Sequence, residues 1–106
     1  MDFRIELTET AINDMFEIYY YISMNDSFEN AEKVIEKIKE RAFSLSKYPE
    51  RGSRVNEVYD ELPDIKQVYF KPYRILYRIQ KQIVFVLAVL DGRRNLEDEL
   101  RSRLIR

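Results

Sequence analysis

Residues Lys71 to Arg94 read KPYRILYRIQKQIVFVLAVLDGRR. Lys71-Pro72 is a turn signal, and Tyr73 to Gln80 follows with strand periodicity and arginines four positions apart at Arg74 and Arg78. Tyr73, Ile75, Tyr77 and Ile79 share one face of that strand, and Arg74, Leu76 and Arg78 share the other. If a layer of helices covers the tyrosine and isoleucine face, both arginines project from the opposite side, about 13 Å apart. Lys81-Gln82 is a tight connection, and Ile83 to Leu90 is apolar throughout, the pattern of a strand covered on both faces. Asp91-Gly92 ends it, followed by the pair Arg93-Arg94.

Outward from this hairpin, Phe3 to Leu7 alternates apolar and charged and predicts a short strand. Thr8 is placed to cap a helix over about residues 9–24, with Ile12, Met15, Phe16, Tyr19 and Ile22 on its apolar face. Asn25-Asp26-Ser27 breaks and restarts the helix, with Asp26 or Ser27 as its cap, and Ala31, Val34, Ile35, Ile38, Ala42 and Leu45 form a second stripe. So short a break folds the two helices into an antiparallel hairpin, and Tyr48-Pro49 ends the second. Arg54 to Tyr59 reads as an edge strand and Ile65 to Phe70 as another. At the C-terminal end, Asn95 is a candidate N-cap, and Leu96, Leu100 and Leu104 give a helix over about 96–105 one apolar stripe. The three tyrosines 19 to 21 diverge by about 100° per residue, so they predict core and rim packing rather than a stacking platform.

The fold class is therefore α+β: an N-terminal strand, an antiparallel helical hairpin, a mostly antiparallel sheet of three further strands and a C-terminal helix, as one domain over residues 1–106. A chain of 106 residues removes roughly two thirds of its unfolded surface from water, enough for one core. With neither cysteine nor histidine there is no thiolate chemistry, and the commonest metal ligand is missing, so neither metal nor cofactor is expected. The start MDFRIELTET lacks the pattern of a secretory signal and no apolar run is long enough to span a bilayer, which points to the cytoplasm. Residues 1–62 carry 8 Lys and Arg against 14 Asp and Glu, a balance of −6; residues 63–106 carry 10 against 5, a balance of +5. A basic C-terminal half suggests contact with an acidic partner or anionic surface.

Three segments carry a resemblance: LSKYPERG at 45–52, PYRILYR at 72–78, and VFVLAVLDGRR at 84–94, with Arg103-Leu104 in the helix beyond. In this order they resemble the RelE/ParE superfamily of bacterial type II toxins, and the ParE branch more than the RelE branch. The resemblance implies a growth-inhibiting toxin neutralised by a cognate antitoxin in a hetero-oligomer, the antitoxin acidic where it docks. ParE-like members poison DNA gyrase by protein binding; RelE-like members cut mRNA in the ribosome without a metal. For cleavage, the family uses arginines on the middle strand and after the last strand, which Arg74 and Arg94 (or Arg93) match. It also uses lysines or a glutamate on the preceding strand, where Lys66 and Lys71 could serve as cations, and a histidine or tyrosine near the C-terminus, where Leu100 is apolar. The expected role is therefore gyrase inhibition by binding, with Lys71, Arg74, Arg78, Arg93 and Arg94 as target-binding candidates. Ribosome-dependent endonuclease activity through Arg74 and Arg94 is the first alternative, and an inactive homologue retained to bind antitoxin is the second. The competing role for Arg74 is a structural pairing with Asp91 or Glu57.

Overall fold

A computed structural model describes residues 2–105. Strand β1 (Arg4–Leu7) leads into helices α1 (Glu9–Asn25) and α2 (Phe28–Phe43), then strands β2 (Ser53–Arg54), β3 (Lys66–Phe70), β4 (Tyr73–Gln80) and β5 (Ile83–Asp91), and helix α3 (Glu97–Leu104). The five strands form one sheet in the order β1-β5-β4-β3-β2. β1 runs parallel to β5, pairing Arg4 with Ile83 through Leu7 with Val86, and the other neighbours are antiparallel. The α+β class is as expected, and the edge strand makes a fourth beyond β1, though β2 pairs only Ser53 and Arg54 with Gln67 and Lys66. The remainder of the expected edge strand is a single 3-10 turn at Asn56–Val58.

Local capping chemistry sets the helix starts. Thr8 Oγ1 accepts from the Ala11 N–H at 3.2 Å, and Ser27 Oγ accepts from the Asn30 N–H at 3.0 Å. α2 stops at Phe43, earlier than Pro49 requires, and one 3-10 turn buries Leu45. Asn95 does not cap α3 directly: its Oδ1 accepts from the Glu97 N–H at 3.2 Å, while Leu96 takes the cap position and is buried. Burial of Leu96 against the sheet decides the helix start.

Two cores flank the sheet. The hairpin side contains Ala11, Met15, Ile38, Ala42, Leu45, Tyr73, Ile75, Tyr77, Val84, Val86 and Val89. The other side packs Leu96 and Leu100 with Val55, Val58, Ile65, Leu76, Ala88 and Leu90. β5 serves both through its two faces, and a register shift decides which residues face which core: Leu76 pairs with Ala88 but Tyr77 pairs with Val86, leaving Leu87 as an extra residue. The shift reverses the alternation, so Val84, Val86 and Val89 all reach the hairpin core, and Leu87 is only partly buried against the second core.

β1 ends at Leu7, leaving the far half of one β5 edge without a strand partner. The cap and first turns of α1 cover it. Thr8 donates from N–H and hydroxyl to the Val86 carbonyl (3.1 and 2.9 Å), Thr10 donates to the Leu87 carbonyl (3.2 Å), and Asp14 Oδ2 accepts from the Val89 N–H at 2.9 Å. These bonds rotate the helix from the expected orientation. Ala11, Asp14 and Met15 are buried with Ile18 and Ile22 beside them, whereas Phe16 is 68% exposed and Ile12 is also exposed. Tyr19 packs edge-on to Phe28 at 5.7 Å, and Tyr20 and Tyr21 face outward. No helix among the described residues is long and apolar enough to cross a membrane.

Candidate functional site

Antiparallel pairing of β4 with β5 places Tyr73 opposite Asp91, and the Gly92 N–H donates to the Pro72 carbonyl at 2.8 Å. The turns bearing Lys71 and Arg93-Arg94 are thereby brought to one end of the sheet. Gly92 is needed there: a Cβ would lie 2.9 Å from Pro72 O and 3.0 Å from Arg74 Cγ and Cδ. Arg93 stands out from the surface, donating from Nε and Nη2 to Asp91 at 3.0 and 2.7 Å. These bonds hold the Asp91 carboxyl below its usual range, outweighing the opposing effect of partial burial. Arg94 is exposed and reaches Glu99 at 3.5 Å; Lys71 is exposed without an ion pair among the described residues.

Arg74 is in a different situation. It lies on the face away from the hairpin, as the alternation predicts, but is only 7% exposed. The 3-10 turn at Asn56–Val58, anchored by buried Val55 and Val58, lays Glu57 across it. Arg74 Nη1 and Nη2 donate to the two Glu57 oxygens at 2.7 and 2.9 Å, and Nε donates to Gln67 Oε1 at 2.8 Å. Gln67 in turn donates to the Arg54 carbonyl at 3.0 Å. The guanidinium fork is occupied on both sides, and its hydrogen bonds push the Glu57 carboxyl down. Arg78, four residues on, is half-buried and donates to Asp64 at 2.9 Å. The five cations read from the sequence thus divide into Lys71, Arg93 and Arg94 at the sheet end, Arg74 sealed beneath a cover, and Arg78 on the flank.

Lys66 pairs across the sheet with Tyr77, on the hairpin face, and its Nζ lies 3.6 Å from Glu50. It therefore points away from Arg74, so among the cations of the cleavage reading Lys66 does not converge with the middle-strand arginine. Among the described residues no group of histidine, cysteine or carboxylate side chains could hold a metal ion.

A cleft of about 400 Å³ opens beside the Arg93-Arg94 turn, between α1, the end of β5 and the start of α3. Its walls include Glu17, Tyr21, Tyr73, Asp91, Arg93 and Arg94. Burial of the ring, then the Asp91 charge, raise the Tyr73 phenol above its ordinary value. Asp14 forms part of the floor. It accepts from Arg103 Nη1 and Nη2 at 3.1 and 2.9 Å, locking α3 to α1 and β5. The sequence reading passed over Asp14; its signal was a carboxylate inside the apolar series Ala11, Met15, Ile18 at helical spacing. The surface pairs Glu97–Arg101 and Glu99–Arg103 are present, but Arg101 also meets Glu61 and Arg103 is mainly committed to Asp14.

A parallel β1–β5 pair closing an antiparallel sheet, a helical hairpin on one face, and a basic sheet end define a toxin fold of the RelE/ParE superfamily. A chain of the chromosomal ParDE toxin–antitoxin system from P. aeruginosa superposes with a TM-score of 0.70 at 19% identity, over 82% of this chain and 92% of that one. One from the RelBE2 toxin–antitoxin complex of Mycobacterium tuberculosis gives 0.64 at 25% identity, over 84% and 96%. A double-arginine variant of the E. coli toxin RelE in the free state gives 0.63 at 18% identity, over 99% and 96%. Residues 5–96 match the family described as ParE toxin of type II toxin-antitoxin system, parDE, and the chain belongs to that family. It is also 27% identical over 97 residues to Toxin ParE3 of Caulobacter vibrioides, covering 92% of this chain and 94% of that protein.

Proposed function

We propose that this toxin, one cytoplasmic domain, acts by binding DNA gyrase rather than by cutting RNA, and that a cognate antitoxin neutralises it. The observation that carries the choice is the state of Arg74. Cleavage of an RNA backbone needs a cation free to meet the phosphate, the middle-strand arginine in the cleavage reading, with a proton donor and acceptor nearby. Here the middle-strand arginine is saturated by Glu57 and Gln67 beneath a covering turn, and Lys66 lies on the opposite face. Target contact falls instead to Lys71, Arg93 and Arg94, with Arg74 bracing the sheet end from beneath and Arg78 held to Asp64 on the flank. Arg93, exposed and held to Asp91 by two hydrogen bonds, suits recognition of an acidic protein surface, because its side chain has little freedom left to lose on binding.

The test is a supercoiling assay with purified gyrase. The toxin should block supercoiling or trap cleaved DNA, and the double substitution R93A/R94A should abolish the effect while leaving the thermal midpoint unchanged. Normal supercoiling at excess toxin, together with A-site cuts on translating ribosomes by toeprinting, would transfer the function to the endonuclease reading. If both assays are silent and expression without antitoxin leaves growth unchanged, the chain is an inactive homologue.

A further inference from the structure

Within the cleft at the sheet end the charges do not balance. Asp91 is matched by Arg93, Glu99 by Arg94 and Arg103, and Asp14 by Arg103. Glu17 alone among the lining carboxylates has no ion-pair partner among the described residues. The wall contains a second unfilled group. Tyr73 is only 8% exposed, yet its hydroxyl makes no hydrogen bond among the described residues. No buried side-chain polar atom among the described residues lacks a partner, so the unpartnered Tyr73 oxygen is not itself buried and opens to the cleft that the residue lines. Tyr21 is 66% exposed and lines the same cleft as Tyr73 and Arg93.

The surroundings extend the same chemistry. Glu17 and Tyr21 also border a shallow apolar groove formed by Phe16, Tyr20 and Met24, all exposed. α1 carries Glu9, Asp14 and Glu17 and neither lysine nor arginine. A second copy of this chain docking through the same face would set Glu17 against Glu17, a like-charge contact that opposes self-association.

We propose that this cleft receives an arginine or lysine side chain from the antitoxin. The cation lies against the Tyr21 ring with Glu17 as its counter-ion and the Tyr73 hydroxyl as acceptor, and apolar residues of the same antitoxin segment cover Phe16, Tyr20 and Met24. The assignment of the occupant rests on the antitoxin partnership proposed above. Aromatic faces and a carboxylate together select a cation over an anion, and the local imbalance is opposite in sign to that of the whole C-terminal half. A segment seated there would also lie beside Arg93 and Arg94, which accounts for neutralisation by occlusion.

The first experiment titrates the full-length toxin with N-acetyl-arginine methylamide, observed through the ring resonances of Tyr21 and Tyr73. Saturable shifts are expected, weakened roughly tenfold or more for the uncharged citrulline analogue, as loss of a charge-assisted hydrogen bond implies. Glu17→Gln and Tyr73→Phe should each weaken the arginine probe several-fold; Glu17 is exposed, so its variant keeps the test available should Tyr73→Phe fail to fold. Absence of saturation, affinity unchanged in Glu17→Gln, or a response to inorganic phosphate in place of arginine would overturn the site. The second measures antitoxin affinity, which Glu17→Gln should reduce roughly tenfold; an unchanged value would overturn the antitoxin as occupant. Probe binding by a toxin that leaves gyrase untouched would remove the target proposal alone.

Discussion

Substitution of Glu57 by alanine asks most directly what Arg74 is for. Glu57 supplies both oxygens that close the Arg74 fork, at 2.7 and 2.9 Å, and Gln67 satisfies only Nε. Without Glu57 the guanidinium is left charged and unmatched where its side chain is 9% exposed. Breaking a fully buried pair costs about 3–5 kcal/mol; because a quarter of the Glu57 side chain reaches water, a loss of about 2–4 kcal/mol is expected. That corresponds to roughly 10–20 °C in thermal midpoint for a domain of this size. Replacing both partners by apolar residues, as in Arg74→Met with Glu57→Leu, removes the unmatched charge and should recover at least half of the loss. The pH dependence has a definite sign. The carboxyl of Glu57 is held below its ordinary 4.5 mainly by the hydrogen bonds from Arg74, so its contribution is complete above that value and disappears as pH falls through the lower, folded one. Urea denaturation of parent and Glu57→Ala should therefore differ most near neutrality and converge in acid. A Glu57→Ala variant within about 0.5 kcal/mol of the parent would refute the structural role. So would a folded Arg74→Met/Glu57→Leu protein that had lost gyrase inhibition, since Arg74 would then be acting on the target.

Three other outcomes follow from the geometry. Asp14→Ala leaves the Val89 N–H without its acceptor and Arg103 with only the longer contact to Glu99, and should cost about 2–4 kcal/mol and raise hydrogen exchange in α3 ahead of global unfolding. Gly52→Ala should destabilise by about 1–3 kcal/mol in thermal denaturation, because the added methyl meets the Tyr77 hydroxyl and comes within 2.7 Å of Gln67 O. That hydroxyl has no room to yield, since it donates to the Pro49 carbonyl at 2.5 Å and accepts from the Gly52 N–H at 3.0 Å. Lys81→Gly should be neutral to stabilising by up to about 1 kcal/mol by the same assay, since Lys81 is held at φ 58°, a conformation that suits glycine.

The alternation of Tyr73, Ile75, Tyr77 and Ile79 with Arg74, Leu76 and Arg78 was legible without a structure, because a strand offers only two faces and one must be apolar. The hairpin α1–α2 and its caps were legible for a similar reason: Thr8 and Ser27 act on N–H groups three residues away. The rotation of α1 was not. Ile12 and Phe16 satisfy the helical period as well as Ala11 and Ile18 do, and only the uncovered edge of β5, which draws in Thr8, Thr10 and Asp14, decides between them. The extra residue at Leu87 was equally silent, because an all-apolar strand shows no break when its alternation reverses.

Among the cations the division has the same cause. The residue types and spacing of Lys71, Arg74, Arg78, Arg93 and Arg94 were plain in the sequence, and so was the likeness to RelE/ParE toxins. Whether an arginine is free depends on what crosses it from elsewhere in the chain. Glu57 comes from 17 residues before Arg74, carried by a 3-10 turn whose only sequence trace is the pair Val55 and Val58. Local periodicity and capping are short-range and therefore readable along the chain. Burial of a charge and the cleft beside Tyr73 are set by long-range packing, so only the tertiary structure decided them.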